Sequence, residues 1–544
     1  MQTDSTLQAG RKEWIGLAVL ALACVVYAMD LTVLNLAVPE LSADLKPTSS
    51  QLLWIVDIYG FMVAGSLLTM GTLGDRIGRR KLLMIGAVAF GVTSLLAAFS
   101  TSAGMLIVSR ALLGLAGATL APSTLSLIRN MFLDPRQRTV AIGIWITSFS
   151  AGAAVGPLLG GVLLEFFWWG SVFLLAVPVM ALLLVLGPRL LPEFRDPEAG
   201  RLDLISAALS LVAILAVIFG LKELAQDGFG VQPFVAILAG LAVGVLFVRR
   251  QQTLADPLID VQLFRIPAFS ASLATNLLVG FAAFGTFLFI GQYLQLVEGL
   301  SPLMAGLWSL PSSVGFIVGS MLAPVFVRRV RPAYVMAASL VVASIGFGVL
   351  SQVDATSGLT LLVTGSIIFS LGLAPVFTLT TDTVMSSAPP ERAGAASGIS
   401  ETNAELGGAL GIAILGSIGA AIYRNEVADT LPAGVSPEAA ESARDTLGGA
   451  VAVANELPDP IGVVLLESAR EAFVQGLQLT TSIGAVVMVG TAILVAFLLR
   501  GARPGSGAEG EPETEHAVQG PVATAQPVLH GLPPTEPAWD RQAG

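Results

Sequence analysis

Long apolar stretches alternate with short polar segments along the whole chain. A helix needs about 20 predominantly apolar residues to cross the hydrocarbon core of a bilayer. Stretches of this length lie at 14–38, 52–71, 82–100, 104–128, 139–163, 169–190, 202–221, 231–248, 268–296, 303–327, 333–351, 358–384, 394–423 and 472–499. The pattern predicts an all-α polytopic membrane protein whose fourteen membrane spans are numbered in chain order.

Lysine and arginine lie mostly on one side of these spans. If the N-terminus is inside, 22 of them fall in cytoplasmic loops and termini, and Arg110 alone lies within a span. The five on the opposite side are Lys46, Lys222, Arg424, Arg444 and Arg470. Since cytoplasmic loops carry an excess of Lys and Arg, we expect a protein of the cell (plasma) membrane with both termini in the cytoplasm.

Three segments fall outside the spans. Residues 1–13 are expected to form a short cytoplasmic N-terminus. Residues 424–471 make a long outside loop rich in Ala, Glu and Asp, for which we expect a helical hairpin on the outer face. Residues 501–544 lack apolar periodicity and are dense in Gly, Pro, Ala and Glu, which predicts a disordered cytoplasmic tail.

Composition excludes several classes of function. Of the 544 residues, 54% are hydrophobic and 12% are charged, about half the charged share of a soluble domain. The net charge of −10 comes largely from the outside loop and the tail, so it does not indicate a nucleic-acid partner. With one cysteine, two histidines confined to the tail and no phosphate-binding motif, we expect no enzyme, no metal site and no ATP-driven pump.

Span 13 carries two glutamates. Glu401 and Glu405 are four residues apart, hence on one face of a helix. Ionisable residues inside a membrane are costly, so they usually face an interior cavity and have a function. At 1.5 Å per residue from Gly394, Glu405 lies about 16 Å in, near the midplane, and Glu401 about 10 Å in, as an inner relay. The alternative is that both lie at a wet helix end.

Three aspartates lie in other spans. Asp30 is in the outer half of span 1, about 24 Å along the helix from Trp14, and Asp57 enters span 2 at a similar height. Two acids on adjacent spans suit a proton or a cationic ligand, although Asp57 could instead lie at the membrane interface. Asp382, near the cytoplasmic end of span 12, is either an inner-gate acid or a residue that caps a helix or meets lipid headgroups.

The loop between spans 2 and 3 reads Gly71-Thr-Leu-Gly-Asp75-Arg76-Ile-Gly78-Arg79. Its glycines permit a tight turn and a close approach of helices. Asp75 can sit at the N-terminus of a neighbouring helix or pair with an arginine, which would latch the inner face. The loop resembles the signature loop of the major facilitator superfamily.

Spans 4 and 5 carry further motifs similar to those of that superfamily. The stretch around Arg110 in span 4 resembles a motif whose arginine is implicated in proton transfer; an arginine that snorkels to the surface is the alternative. Span 5 has a ridge that permits close packing and a bend, formed by Gly152, Gly156, Pro157 and Gly160. The ridge resembles the antiporter motif that marks exporters, and a generic packing ridge is the alternative.

The segments around Asp30, Trp54 and Glu405 resemble the fourteen-span drug:proton antiporters. In particular, they are similar to the quaternary-ammonium, dye and fluoroquinolone exporters of actinobacteria and staphylococci, and the likeness covers residues 11–500. Some of these exporters carry adjacent acids where this chain has Ser400 and Glu401, and a serine cannot carry a proton.

This resemblance implies a six-helix half at 14–190, an inserted helix pair at 202–248 and a second half at 268–499, with the halves rocking about a midplane site. It also implies a monomeric multidrug efflux antiporter in the lipid bilayer. Such a protein exports lipophilic organic cations (quaternary ammonium compounds, dyes and fluoroquinolone-like drugs) in exchange for protons, without a cofactor. Span 9 could supply cation–π surface or only packing through Phe281, Phe284, Phe287 and Phe289.

Two other functions are open on the sequence. A proton-coupled exporter of an endogenous antibiotic or lipid metabolite would have the same fold and would not need Asp30 or Asp57. A membrane-bound enzyme or receptor would need a reactive cluster or a folded soluble domain, and the sequence offers neither.

Overall fold

The computed structural model describes residues 8–47, 49–196, 202–226, 230–254, 257–355, 358–432 and 435–499. Within these ranges the secondary structure is helical, and 14 helical segments are long and apolar enough to cross a membrane. The predicted all-α fold and the number of spans are confirmed. The tail predicted to be disordered lies outside the described residues.

Ten spans are single, unbroken helices. They are Arg11–Leu45 (span 1), Ser49–Ile77 (2), Arg79–Ala98 (3), Pro135–Phe166 (5), Leu204–Gln226 (7), Val231–Gln251 (8), Pro302–Phe326 (10), Pro332–Leu350 (11), Leu359–Ser387 (12) and Asp459–Leu498 (14). The end of the bundle at which span 1 begins is called the inner end, and the excess of Lys and Arg predicts that it is cytoplasmic.

The remaining spans are interrupted or extended. Span 4 consists of Ala103–Gly117 and Leu120–Met131, and span 6 of Ser171–Leu174 and Ala176–Leu190. Span 9, Pro267–Gln292, continues into a π-helical turn at Tyr293–Val297. Span 13, Ala393–Thr430, follows a short 3-10 helix at Pro390–Arg392.

Polar side chains fix several helix starts. Ser102 accepts a hydrogen bond from the backbone N–H of Met105 at the start of span 4, and Asp134 accepts one from Arg136 at the start of span 5. Such side chains satisfy N–H groups that have no partner within the helix. The turn between spans 2 and 3 depends on Gly78, whose φ of 109° is readily adopted only by glycine.

Buried apolar side chains form two large clusters. The first draws mainly on spans 1 to 6, and the second on spans 9 to 14 together with the loop before span 14. Spans 7 and 8 contribute few of these residues. The hydrophobic cores therefore separate the two six-helix groups from the inserted pair.

Spans 7 and 8 pack on each other, and span 7 also packs against spans 2 and 13. A Cβ added at Gly220 of span 7 would lie 2.7 Å from the backbone oxygen of Pro233, so the inserted pair is in backbone contact. At its inner end Arg250 donates a hydrogen bond of 2.7 Å to Asp203, which holds the pKa of that carboxyl well below its usual range. Span 7 is thus fixed between span 8 and both halves.

The loop before span 14 contains two short helices, Pro437–Asp445 and Leu447–Glu456, which pack on each other. The hydroxyl of Tyr423, in span 13, donates a hydrogen bond of 2.8 Å to the backbone oxygen of Ala443 and ties this pair to the bundle. The residues that follow, from Asp459 on, belong to the long helix of span 14. The helical part of the loop is therefore shorter than the segment 424–471 expected from sequence.

Candidate functional site

Asp75 joins the turn after span 2 to the start of span 13. Its carboxylate accepts hydrogen bonds from the backbone N–H groups of Gly394 (3.0 Å) and Ala395 (2.8 Å), and the Nε of Arg79 donates to it over 2.8 Å. A carboxylate is stabilised at a helix N-terminus by the N–H groups and by the helix dipole. Both contacts considered from the sequence, a helix N-terminus and an arginine, are present together.

Arg79 extends this contact. Its side chain is 1% exposed, and Nη2 donates to the backbone oxygens of Pro390 (2.7 Å) and Glu391 (2.9 Å). A Cβ added at Gly71 would lie 2.2 Å from the backbone oxygen of Gly394, so spans 2 and 13 touch backbone to backbone. We call Asp75, Arg79, Gly71 and the residues they contact at 390–395 the inner latch. Arg76 lines a small cavity beside it.

Asp382 makes a second connection between the halves at the inner end. Its carboxylate accepts hydrogen bonds from Arg138 Nε (3.0 Å) and from the hydroxyl of Thr139 (2.7 Å), both near the start of span 5. Arg129 Nε donates to the backbone oxygen of Met385 over 3.1 Å. Asp382 therefore holds span 12 against span 5. It does not cap a helix, because it lies within Leu359–Ser387.

Asp30 and Arg110 form a buried ion pair between spans 1 and 4. Arg110 Nη1 lies 2.6 Å from an Asp30 oxygen, and the arginine side chain is 2% exposed. Its Nε donates to the backbone oxygen of Ile55 (3.1 Å), and the ring of Tyr59 lies 4.9 Å from the guanidinium carbon. Arg110 does not snorkel to the surface, in contrast to the alternative considered for it.

Asp57 pairs with Lys222 of span 7. The lysine nitrogen also lies 4.6 Å from the ring centre of Phe61. The sequence assigned Lys222 to an outside loop, one residue beyond the apolar stretch 202–221, but the helix of span 7 continues to Gln226. Asp30 and Asp57 thus do not form a shared two-acid site, because each pairs with a different basic side chain.

Glu401 and Glu405 lie on the face of span 13 that points between the halves. Glu405 is exposed and Glu401 half-buried, although span 13 packs against spans 2, 4, 7, 9 and 14. An accessible carboxylate on a helix that other spans surround faces a space inside the bundle.

No hydrogen bond or ion pair holds either glutamate among the residues that the structure describes. The two carboxylates lie one helical turn apart on the same helix, so they repel each other when both are ionised. An accessible acid without a protein partner can exchange protons or bind a cation. This separates the two glutamates from Asp30, Asp57 and Asp382, each of which has a basic partner.

The small residues of span 5 pack that span onto span 1. A Cβ added at Gly152 would lie 2.3 Å from the backbone oxygen of Val25, and one at Gly156 would lie 2.4 Å from the hydroxyl of Thr32. The helix runs unbroken through this region, although the side chain of Pro157 is outside the described residues. These contacts fall within the first half of the molecule.

The phenylalanines of span 9 differ in their surroundings. Phe289 is 5% exposed and packs on Phe473 of span 14, so it belongs to the core rather than to a binding surface. Phe284 and Phe287 are exposed, and the ring of Phe287 lies 5.4 Å from that of Phe369. Sequence reasoning grouped the four because helical spacing alone does not show which neighbour each one faces.

A model of the Major Facilitator Superfamily matches residues 20–412. The chain belongs to this superfamily. It is 43% identical to the multidrug efflux pump LfrA of Mycolicibacterium smegmatis, over 92% of this chain and 98% of that protein. It is 36% identical to the methyl viologen resistance protein SmvA of Salmonella typhimurium, over 85% of this chain and 93% of that protein. The resemblance to multidrug exporters is confirmed.

The fold is also that of solved transporter structures. The human organic anion transporter MFSD10 superposes with a TM-score of 0.55 at 15% identity, and the alignment covers 89% of this chain and 99% of MFSD10. This likeness concerns the fold alone.

Proposed function

We propose that this protein is a multidrug efflux antiporter that exports lipophilic organic cations across the plasma membrane in exchange for protons. Both termini lie in the cytoplasm, the protein acts as a monomer, and the proton gradient drives it without a cofactor. The observation that carries the proposal is Glu405, an accessible carboxylate on span 13 that forms no hydrogen bond or ion pair with the described residues, on a helix that packs against spans of both halves. The sequence identity with the multidrug efflux pump LfrA and with the methyl viologen resistance protein SmvA supports it.

Glu405 serves in turn as a cation site and a proton site. The ionised carboxylate attracts an organic cation, which aromatic side chains can also hold by cation–π contact. A proton that arrives from the outside neutralises Glu405 and releases the cation outward. When the inner end opens, the proton leaves to the cytoplasm and the carboxylate is ready for the next cation. Glu401, one turn closer to the inner end, relays that proton.

The contacts at the inner end support an outward-facing conformation, one stage of this cycle. Hydrogen bonds join the halves at the inner end through Asp75, Asp382 and Ser320, whose hydroxyl donates over 3.0 Å to the backbone oxygen of Gly143. These bonds must break before a substrate can enter from the cytoplasm. Asp30 is a second proton site that becomes available only when Arg110 leaves it.

Replacing Glu405 with glutamine tests the proposal. In inverted membrane vesicles with an acidic interior, the wild-type protein should accumulate tetraphenylphosphonium, and a protonophore should abolish the uptake. Glu405→Gln should lower the initial rate about tenfold or more, as expected for the loss of a charge-assisted contact worth at least about 1.4 kcal/mol.

Glu438→Gln is the matched control, since Glu438 is exposed on the first loop helix and should transport normally. Equal rates for Glu405→Gln and wild type would contradict the proposed site. Export of an endogenous, uncharged compound instead predicts that tetraphenylphosphonium is not accumulated by the wild type. A panel of cationic dyes and neutral antibiotics on an expressing strain separates these substrates.

A further inference from the structure

Lys222 places a positive charge of the protein itself beside the proposed cation site. Its ammonium group pairs with the carboxylate of Asp57 and lies 4.6 Å from the ring centre of Phe61. A carboxylate together with an aromatic face is the combination that binds organic cations. Lys222 therefore occupies the kind of surroundings that a substrate cation needs.

The same ammonium group lies on a helix that packs against span 13, which carries Glu405. The opposite charges of Lys222 and Glu405 attract each other across this contact. Asp57, Glu405 and Lys222 together carry a net charge of −1 when all are ionised. Glu401 lies on span 13 one turn closer to the inner end. One monovalent cation, or one proton, therefore neutralises the group that Lys222 belongs to.

The helix of span 7 fixes the position of Lys222, but its charged side chain remains partly accessible. Span 7 packs against spans 2 and 13, and a Cβ at Gly65 of span 2 would lie 2.7 Å from Leu211. The side chains of Lys222 and Asp57 are 32% and 22% exposed. A partly exposed ion pair contributes little net stability, so an arriving cation can open it at little cost.

We propose that Lys222 is an internal competitor for the cation site and sets the preferred charge of the substrate. Its ammonium holds the position between Asp57 and Phe61 until a substrate cation displaces it. The presence of this charge favours monovalent over divalent cations, because a second positive charge on the substrate would meet Lys222. The inserted span 7 thereby becomes a specificity-determining element. This inference rests on the proposed export of organic cations.

Equilibrium binding to the purified full-length protein in nanodiscs tests the inference. The probes are tetraphenylphosphonium, with one charge, and methyl viologen, with two. Lys222→Gln should tighten the binding of tetraphenylphosphonium about tenfold, or about 1.4 kcal/mol, and that of methyl viologen about a hundredfold, since the removed repulsion scales with ligand charge. Lys222→Arg should stay within about threefold of wild type for both.

A double variant isolates the charge pair. Asp57→Asn combined with Lys222→Gln removes both charges, so tetraphenylphosphonium binding should return to within about threefold of wild type. Size-exclusion elution verifies that each variant is folded, and Lys222→Met is a second neutral variant with an apolar stem of similar length.

Two results would overturn the inference, and only the second would also overturn the proposed function. If the wild type binds both cations and neutral replacements of Lys222 leave the ratio of the two affinities unchanged, Lys222 only packs span 7. If the wild type binds neither cation, the proposed function itself fails and this inference with it.

Discussion

At the scale of single residues, what matters is which charged side chains inside the spans have a partner. Removing a carboxylate or a guanidinium from water costs several kcal/mol, and only close pairing with good hydrogen bonds offsets this. Asp30 and Arg110 meet that condition at 2.6 Å, and the arginine makes a further backbone hydrogen bond. Glu405 has no such partner among the described residues, which is why we propose it, and not Asp30, as the group that binds a ligand.

Loss of Arg110 should destabilise the protein. Arg110→Met leaves Asp30 buried without its cation, so the stability should fall by about 3–5 kcal/mol. The midpoint of thermal unfolding in detergent measures the change. Arg444→Met, at an exposed position of the first loop helix, should leave the midpoint unchanged. Adding Asp30→Asn to Arg110→Met should recover part of the loss; a double variant no more stable than the single one would count against a paired charge here.

At the scale of elements, glycines determine how closely two helices approach. Spans 2 and 13 touch at Gly71 and Gly394, and a Cβ at either position would lie within 2.3 Å of a backbone oxygen of the other helix. Real Cβ atoms do not come this close to backbone atoms, so any side chain here must push the two helices apart. The contact belongs to the described conformation, in which hydrogen bonds join the halves at the inner end.

Gly71→Ala should therefore open the inner end. In a Cys24→Ser background, Ser397→Cys places a probe on span 13 at a fully buried position. A membrane-impermeant maleimide added to inverted vesicles should label this cysteine at least about fivefold faster when Gly71 is alanine, a shift of about 1 kcal/mol in the opening equilibrium.

Gly60→Ala is the control in the same span, because a Cβ at Gly60 meets nothing within 4 Å. Labelling that is as slow in Gly71→Ala as in Gly60→Ala would show that the closed inner end does not depend on this glycine contact.

At the scale of the whole molecule, the halves are joined by polar contacts from separate pairs of spans. Asp75 of span 2 binds the start of span 13, while Asp382 of span 12 binds Arg138 at the start of span 5. Both sets of contacts lie at the inner end, and these hydrogen bonds have no residue in common. Alternating access requires both to break in the same step, so the free energy of opening contains a contribution from each.

Asp75→Asn and Asp382→Asn should each favour the inward-open state, since an amide loses the charge-assisted part of these hydrogen bonds, about 1–2 kcal/mol. The labelling rate of Ser397→Cys measures the shift. The double variant should show roughly the sum of the two free-energy changes because the sites do not touch.

Asp429→Asn, far from both contacts in sequence and at the other end of span 13, is the control. A double variant that labels like wild type would mean that other contacts hold the inner end closed.

The membrane class, the number of spans and the superfamily follow from the sequence alone, because apolar length and a short loop motif are local properties of the chain. It also singled out Glu401 and Glu405, since a charge in an apolar helix is visible without knowledge of its neighbours. The ends of the apolar stretches do not mark the ends of the helices. The position of Lys222 within span 7 was therefore missed, because this helix extends past its apolar part.

The pairing of the charges depends on the tertiary structure. Asp30 and Arg110 are 80 residues apart in sequence, and Asp57 and Lys222 are 165 apart. Their contacts depend on how spans 1, 2, 4 and 7 pack, and no local pattern encodes that packing. The same packing brings Lys222 near Glu405. The sequence supplied the acids, and the arrangement of the helices paired Asp30, Asp57 and Asp382 with basic side chains, while Glu401 and Glu405 form no ion pair with the described residues.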